Sequence, residues 1–306
     1  MKIKGIFENE SLWIKFLFII LAPIVLGILF TFISNGVIAI LGTTDEHTIL
    51  KTHQLLAAIG MFILASTLLA YLFSQKPMEY LGLKTPYGMT IILTVLSMFT
   101  VLPLSNYITI ACSDISLPQF LAPLEKILTE IESKSDGITT ALLYGNSYGD
   151  LAINILILAI IPAFGEELLF RGLILNSLCK KKLNIHICIW ITALLFSMIH
   201  IQFHKFIPIM LLGAYFGYLR IWSDSLWTPI AAHFTNNLAI VLYYFFLKGR
   251  TYGIDPENIG TSGSPIVIVS FAILFFVFVH AIWTICRKRL NEQEEDDTAP
   301  EETSEA

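Results

Sequence analysis

Charge is scarce in this 306-residue chain. Only 14% of its residues are Asp, Glu, Lys or Arg, while 55% are hydrophobic. A soluble domain carries about 25% charged residues, so an ordinary soluble enzyme is excluded. The four cysteines, Cys112, Cys179, Cys188 and Cys286, form no Cys-x-x-Cys pair. That removes the usual zinc-ribbon and redox motifs, and no disulfide framework is expected. There is no His-Glu-x-x-His, so a zincin arrangement is absent. No internal repeat is visible, so the inverted halves of many transporters are not evident. The last stretch, 291–306, has eight acids and no Lys or Arg. It reads as a solvated, disordered acidic tail. Without it, the net charge of −5 becomes a slightly basic body of 16 acids against 19 bases.

What the chain has instead is apolar length. A membrane-spanning helix needs about 20 mostly apolar residues. Eight such segments are predicted, at roughly 16–41, 54–74, 86–111, 151–179, 184–203, 206–222, 226–247 and 265–286. The first is uncharged from Phe16 to Thr44 and carries no Ala-x-Ala cleavage pattern near its end. It reads as a span rather than a signal peptide. The 112–150 connection, with Pro118, Pro123 and an amphipathic stretch from Leu121 to Ile131, reads as a surface segment. With both termini in the cytoplasm, 12 Lys and Arg fall on that side and six on the other, with Arg171 inside the membrane. The positive-inside rule favours this orientation. The expected fold is therefore all-α and polytopic, with about eight transmembrane helices around a polar intramembrane cavity. The expected divisions are 1–149, a core at 150–247, a last span at 248–290 and the tail.

Polar residues inside these apolar helices carry the chemistry. A charge at membrane depth costs roughly 2.5–3.5 kcal/mol even on the lenient insertion scale. Such groups persist only if they pair, meet water or react. Gly165-Glu166-Glu167-Leu168-Leu169-Phe170-Arg171-Gly172 places Glu167 and Arg171 on one helix face, four residues apart. Glu166 points about 100° away. Arg171 is predicted to neutralise and orient Glu167, leaving Glu166 to project into a cavity, where a carboxylate suits a general base. A buried structural ion pair alone would explain Glu167 and Arg171 but not Glu166. Phe196 and His200 share a face of the fifth span, and His233 and Asn237 share a face of the seventh. Imidazole moves protons or binds metal, and a carboxamide can donate to a developing oxyanion. Together these are the parts for water attack on a peptide carbonyl. His204 is a weaker second candidate. His47, His53, His186 and His280 fall at edges or without a partner, and Asn236 projects away from Asn237. Counted along each helix from the cytoplasmic edge, Glu166 lies about 20 Å deep, His200 about 26 Å and His233 about 13 Å. These depths do not match.

Glu-Glu-x-x-x-Arg, Phe-x-x-x-His and His-x-x-x-Asn, in that order in successive spans, resemble the CPBP family. That family holds type II CAAX-prenyl endopeptidases and bacteriocin-processing or self-immunity (Abi) proteins. The resemblance covers roughly 150–245, and Met78-Glu79-Tyr80-Leu81-Gly82-Leu83 resembles a segment that precedes this core in many bacterial members. It implies an eight-helix intramembrane endopeptidase. By motif position, Glu166 would activate water together with His200, His233 and Asn237 would form the oxyanion site, and Arg171 would orient Glu167. It implies a glutamate-dependent mechanism with no cofactor, a divalent metal such as zinc being the minority option. The expected partners are a peptide or membrane-protein substrate and the lipid bilayer, with no nucleic acid. The expected location is the cell (inner) membrane. Membrane Glu, His and Arg also build proton relays, so a proton-coupled transporter stands as one alternative and a non-catalytic scaffold of the same fold as another.

Overall fold

The computed structural model describes residues 3–180, 183–247 and 265–298. Lys2, Lys181, Lys182, Lys248, Arg250 and the tail beyond Thr298, which enter the charge reading, lie outside the described residues. Ser11 opens α1 (Leu12–Leu41) by accepting from Ile14 N, and Gly42 closes it in the left-handed region at φ 62°. Asp45 caps α2 (Glu46–Phe73) by accepting from Thr48 N at 2.8 Å. A short α3 (Pro77–Leu81) precedes α4 (Gly88–Ser113) and α5 (Ala122–Leu143). Next come α6 (Tyr148–Cys179), α7 (Ile185–His200), α8 (Phe206–Ser223), α9 (Trp227–Phe246) and α10 (Pro265–Thr298).

Eight of these ten helices coincide with the eight predicted spans. Six are long and apolar enough to cross a membrane. The other two are α7, with 16 residues, and α9, whose apolar run is diluted by His233, Asn236 and Asn237. Three expectations are corrected. In the 112–150 connection the amphipathic stretch expected at Leu121–Ile131 is longer, because α5 runs for 22 residues. The fifth span stops at His200, where Ile201 takes up the left-handed conformation at φ 50°. The first eight residues of the acidic tail, 291–298, continue α10 as helix.

The most enclosed span is α6. Fully 56% of its most apolar window is buried, against 17% for α1 and 6% for α10. The apolar flanks of α1 and α10 therefore face the lipid, and α6 forms the centre. A capping box starts it: Ser147 Oγ accepts from Asp150 N, and Asp150 Oδ2 accepts from Ser147 N, both at 3.1 Å. Its backbone changes character twice, with π-helical turns at Ile155–Ile160 and Leu168–Leu175 around the α-helical stretch Ile161–Glu167. Pro162 lacks the N–H that an α-helix would direct four residues back. The first π-helical stretch lies where that bond is missing, and inserted turns of this kind recur at functional sites.

Small residues let neighbours approach α6 and α7. A Cβ on Gly165 would stand 2.7 Å from Phe62 Cβ of α2. On α8, a Cβ at Gly213 would meet Ala193 Cα and Phe196 Cδ1 at 3.2 Å, and one at Gly217 would meet Ile189 Cγ2 at 2.9 Å. This is the small-x-x-x-small packing common between membrane helices. Two apolar clusters flank α8. One joins Leu168, Leu173 and Leu175 of α6 to Leu69, Phe73 and Ile189. The other joins Phe216 and Leu219 to Met98 of α4, Ala232 of α9 and Ile282 of α10.

Candidate active site

Glu167 and Arg171 have no exposed side-chain surface. Arg171 Nη1 donates to Glu167 Oε1 at 2.8 Å, as the four-residue spacing predicts. Its Nη2 donates to the carbonyl of Gly213 at 2.7 Å. The guanidinium also lies over three rings: Phe196 at 4.7 Å, Phe216 at 5.4 Å and Phe170 at 6.0 Å. Cation–π contacts of this kind are worth about 2 kcal/mol or more when desolvated. Arginine suits such a box, because its planar fork is weakly hydrated and stacks on aromatic faces.

His233 enters from α9. Its Nδ1 donates to Glu167 Oε1 at 2.9 Å, so one carboxylate oxygen takes a proton from each of two partners. A carboxylate only accepts, so this contact places the proton on Nδ1. The other ring nitrogen, Nε2, stands 3.9 Å from Glu166 Oε2. The imidazole is fixed by Phe216, stacked at 5.3 Å, and by the edge of Phe196 at 5.9 Å. Glu166 is separate from Arg171, as its 100° offset requires. Its Oε2 is enclosed and has no hydrogen-bond partner among the described residues. The mismatch in linear depth between Glu166 and His233 is thus closed in space.

His200 is the last residue of α7, half-buried. Its Nδ1 donates to the carbonyl of Phe196 at 2.7 Å, which leaves Nε2 with its lone pair. The two rings stand 4.7 Å apart. Phe196 therefore lies between His200 and His233, packed on both. Asn237 lies one turn beyond His233, half-buried, and its Oδ1 accepts from Asn236 Nδ2 at 3.3 Å. Glu166, Glu167, Arg171 and His233 are joined by direct contacts, and His200 joins them through Phe196. The second candidate, His204, is held elsewhere, with its Nδ1 2.8 Å from Glu132 Oε2 of α5.

Among the described residues, no three His, Cys, Asp or Glu side chains are grouped to hold a metal ion. Glu167 Oε1 already takes two donors. Its Oε2, like that of Glu166, is enclosed and has no hydrogen-bond partner among the described residues.

The motif residues were visible in the sequence, but the box around Arg171 was not. Phe170, Gly213 and Phe216 were missed as parts of the site. The available signal was Gly213-x-x-x-Gly217, a spacing that announces close helix approach.

Residues 148–239 match a family described as type II CAAX prenyl endopeptidase Rce1-like. The matched stretch is just under a third of the chain. Every residue of the polar cluster falls within the matched stretch. The "Uncharacterized protein YpbD" of Bacillus subtilis (strain 168) is 31% identical over 85 residues. Those residues are 26% of this chain and 40% of that protein, so the chain spans two fifths of the relative's length. No solved structure matches.

Proposed function

We infer that the protein is an intramembrane endopeptidase that hydrolyses a peptide bond of a membrane-associated peptide or protein. It would act in the cell membrane, with both termini in the cytoplasm. The observation that carries this reading is the division of labour between adjacent carboxylates. Glu167 holds Arg171 and His233 through Oε1, its Oε2 being enclosed without a hydrogen-bond partner. Glu166 keeps an enclosed, unpartnered oxygen 3.9 Å from an imidazole nitrogen. In this reading a water molecule bridges that separation.

In this reading a water between Glu166 and the substrate carbonyl attacks the carbonyl carbon. Its proton passes to Glu166, and the carbonyl oxygen becomes an oxyanion. His200 assists the proton transfer through its free Nε2. His233, held by Glu167, and the Asn237 carboxamide form the oxyanion site. Protonated Glu166 then returns its proton to the leaving amine as the C–N bond breaks. Arg171 and the three phenylalanines position Glu167, and Glu167 fixes the tautomer and direction of His233.

The test is cleavage of a reporter peptide by purified protein in proteoliposomes. Glu166→Gln preserves size and removes the base, and the expected loss is about 10²–10⁴-fold. Cleavage at the wild-type rate would overturn the assignment of Glu166. Proton-driven uptake without cleavage by the wild type would favour a transporter.

A further inference from the structure

Two cavities away from the polar cluster share one residue, Thr85. The smaller, about 80 Å³, lies between the start of α4, the end of α8 and the 285–290 stretch of α10, and is lined by Lys84, Thr85, Asp224, Arg289, Trp222 and Cys286. The larger, about 430 Å³, is open and almost wholly apolar. Pro86 and Ile91 form one wall, and Trp227, Ile230 and Phe234 form the other. The last three are spaced three and four apart, so they make one face of α9.

Charge in the smaller cavity is unbalanced. Asp224 is shared by Lys84 and by Arg220, the latter at 3.3 Å. The Nε of Arg220 is enclosed and has no partner among the described residues. Arg289 lies over the Tyr87 ring at 5.2 Å. Lys84 and Arg289 thus line the compartment with one carboxylate, which Arg220 outside the lining also pairs, while the second cavity offers only hydrocarbon. Tyr87 and Trp222 line the smaller cavity and Trp227 the larger, and such side chains favour the headgroup level of a bilayer. Basic pockets between membrane helices suit anionic headgroups.

We propose that the joined cavities bind one anionic phospholipid. Its phosphate sits between Lys84 and Arg289, and an acyl chain follows the Trp227–Ile230–Phe234 face of α9. The polar compartment alone would take any phosphate. The apolar groove continuing from it selects a phosphate that carries a chain. The lipid braces α9, the helix that presents His233, but this site stands independently of the peptidase reading.

Native mass spectrometry of the full chain in detergent tests it. The probes are phosphatidylglycerol, phosphatidylcholine and glycerol phosphate. One phosphatidylglycerol should stay bound per chain. It should bind roughly tenfold or more tighter than phosphatidylcholine, and the K84Q/R289Q double variant should lose that margin. Glycerol phosphate, which has the headgroup and no chain, should not compete at equal concentration. Equal retention of phosphatidylcholine would overturn the proposal, as would competition by glycerol phosphate at that concentration, which would mark a free-anion site. The three probes on the wild type alone decide the matter if the double variant fails to fold.

Discussion

His233 Nδ1 donates to the same Glu167 oxygen that receives Arg171 Nη1, at 2.9 and 2.8 Å. Glu167 therefore couples an imidazole on α9 to a guanidinium on its own helix. In the proposed reaction Glu167 would be a positioning residue that acts through His233. Glu167→Gln keeps an acceptor oxygen but removes the charge. The expected result is a fall in kcat of about 10–100-fold, with KM nearly unchanged. Steady-state cleavage of a reporter peptide checks it. A change confined to KM would show that Glu167 acts on substrate binding instead.

Arg171 is fully enclosed, so removing either member of its pair leaves a charge stranded. Arg171→Met should cost about 3–5 kcal/mol, and the Glu167→Gln/Arg171→Met double variant less than the two single variants summed. Arg171→Lys should also be destabilising, because an ammonium cannot fill the fork toward Glu167 and Gly213 or stack on Phe196. Denaturation of the purified variants in detergent measures each. Additive single and double effects would deny the coupling.

How much of this was legible in the sequence depends on distance along the chain. The eight spans followed from apolar length, and the Glu167–Arg171 contact followed from helical periodicity, because both are local properties. The contact between Glu167 and His233 joins residues 66 apart. Sequence fixes a residue's height along its own helix but not how one helix slides or tilts against another, which packing decides. That is why the heights of Glu166 and His233 disagreed while their side chains meet. The π-helical turns in α6 were illegible apart from Pro162, since their causes lie in tertiary packing. The box around Arg171 was half-written in the glycine spacing of α8, but nothing local said which ring would face the guanidinium.

The close approach of α7 and α8 predicts steric sensitivity. At Gly217 a new Cβ would press on Ile189 Cγ2, and at Gly213 on the Ala193 backbone and Phe196. Gly213→Val should destabilise by about 1–3 kcal/mol through overpacking. It should also lower activity more than Gly217→Val does, because Gly213 holds Arg171 and touches Phe196. Equal stability and equal activity for both variants would remove Gly213 from the site's support.

The segment 76–87 is built into the core rather than lying free. Tyr80 places its hydroxyl 3.0 Å from Ser177 Oγ, and its carbonyl accepts from Asn176 Nδ2 at 2.6 Å. Leu226 N donates to the carbonyl of Gly82 at 2.7 Å, and Ser225 Oγ to that of Lys84 at 2.5 Å. Gly82, at φ 77°, has the Arg220 guanidinium against its Cα, where a side chain would collide. The strap thus ties the end of α6 to the turn between α8 and α9. Burial pushes the Tyr80 hydroxyl above its ordinary range, partly offset by Ser177. A phenol held neutral in the fold contributes stability below its unfolded pKa of about 10, and that contribution is lost as pH rises through the raised value. Tyr80→Phe should cost about 1 kcal/mol at neutral pH, from the lost hydrogen bond. It should also flatten the fall in melting temperature above about pH 10. Melting curves at neutral and alkaline pH check both, and an unchanged alkaline slope in Tyr80→Phe would assign that fall to another group.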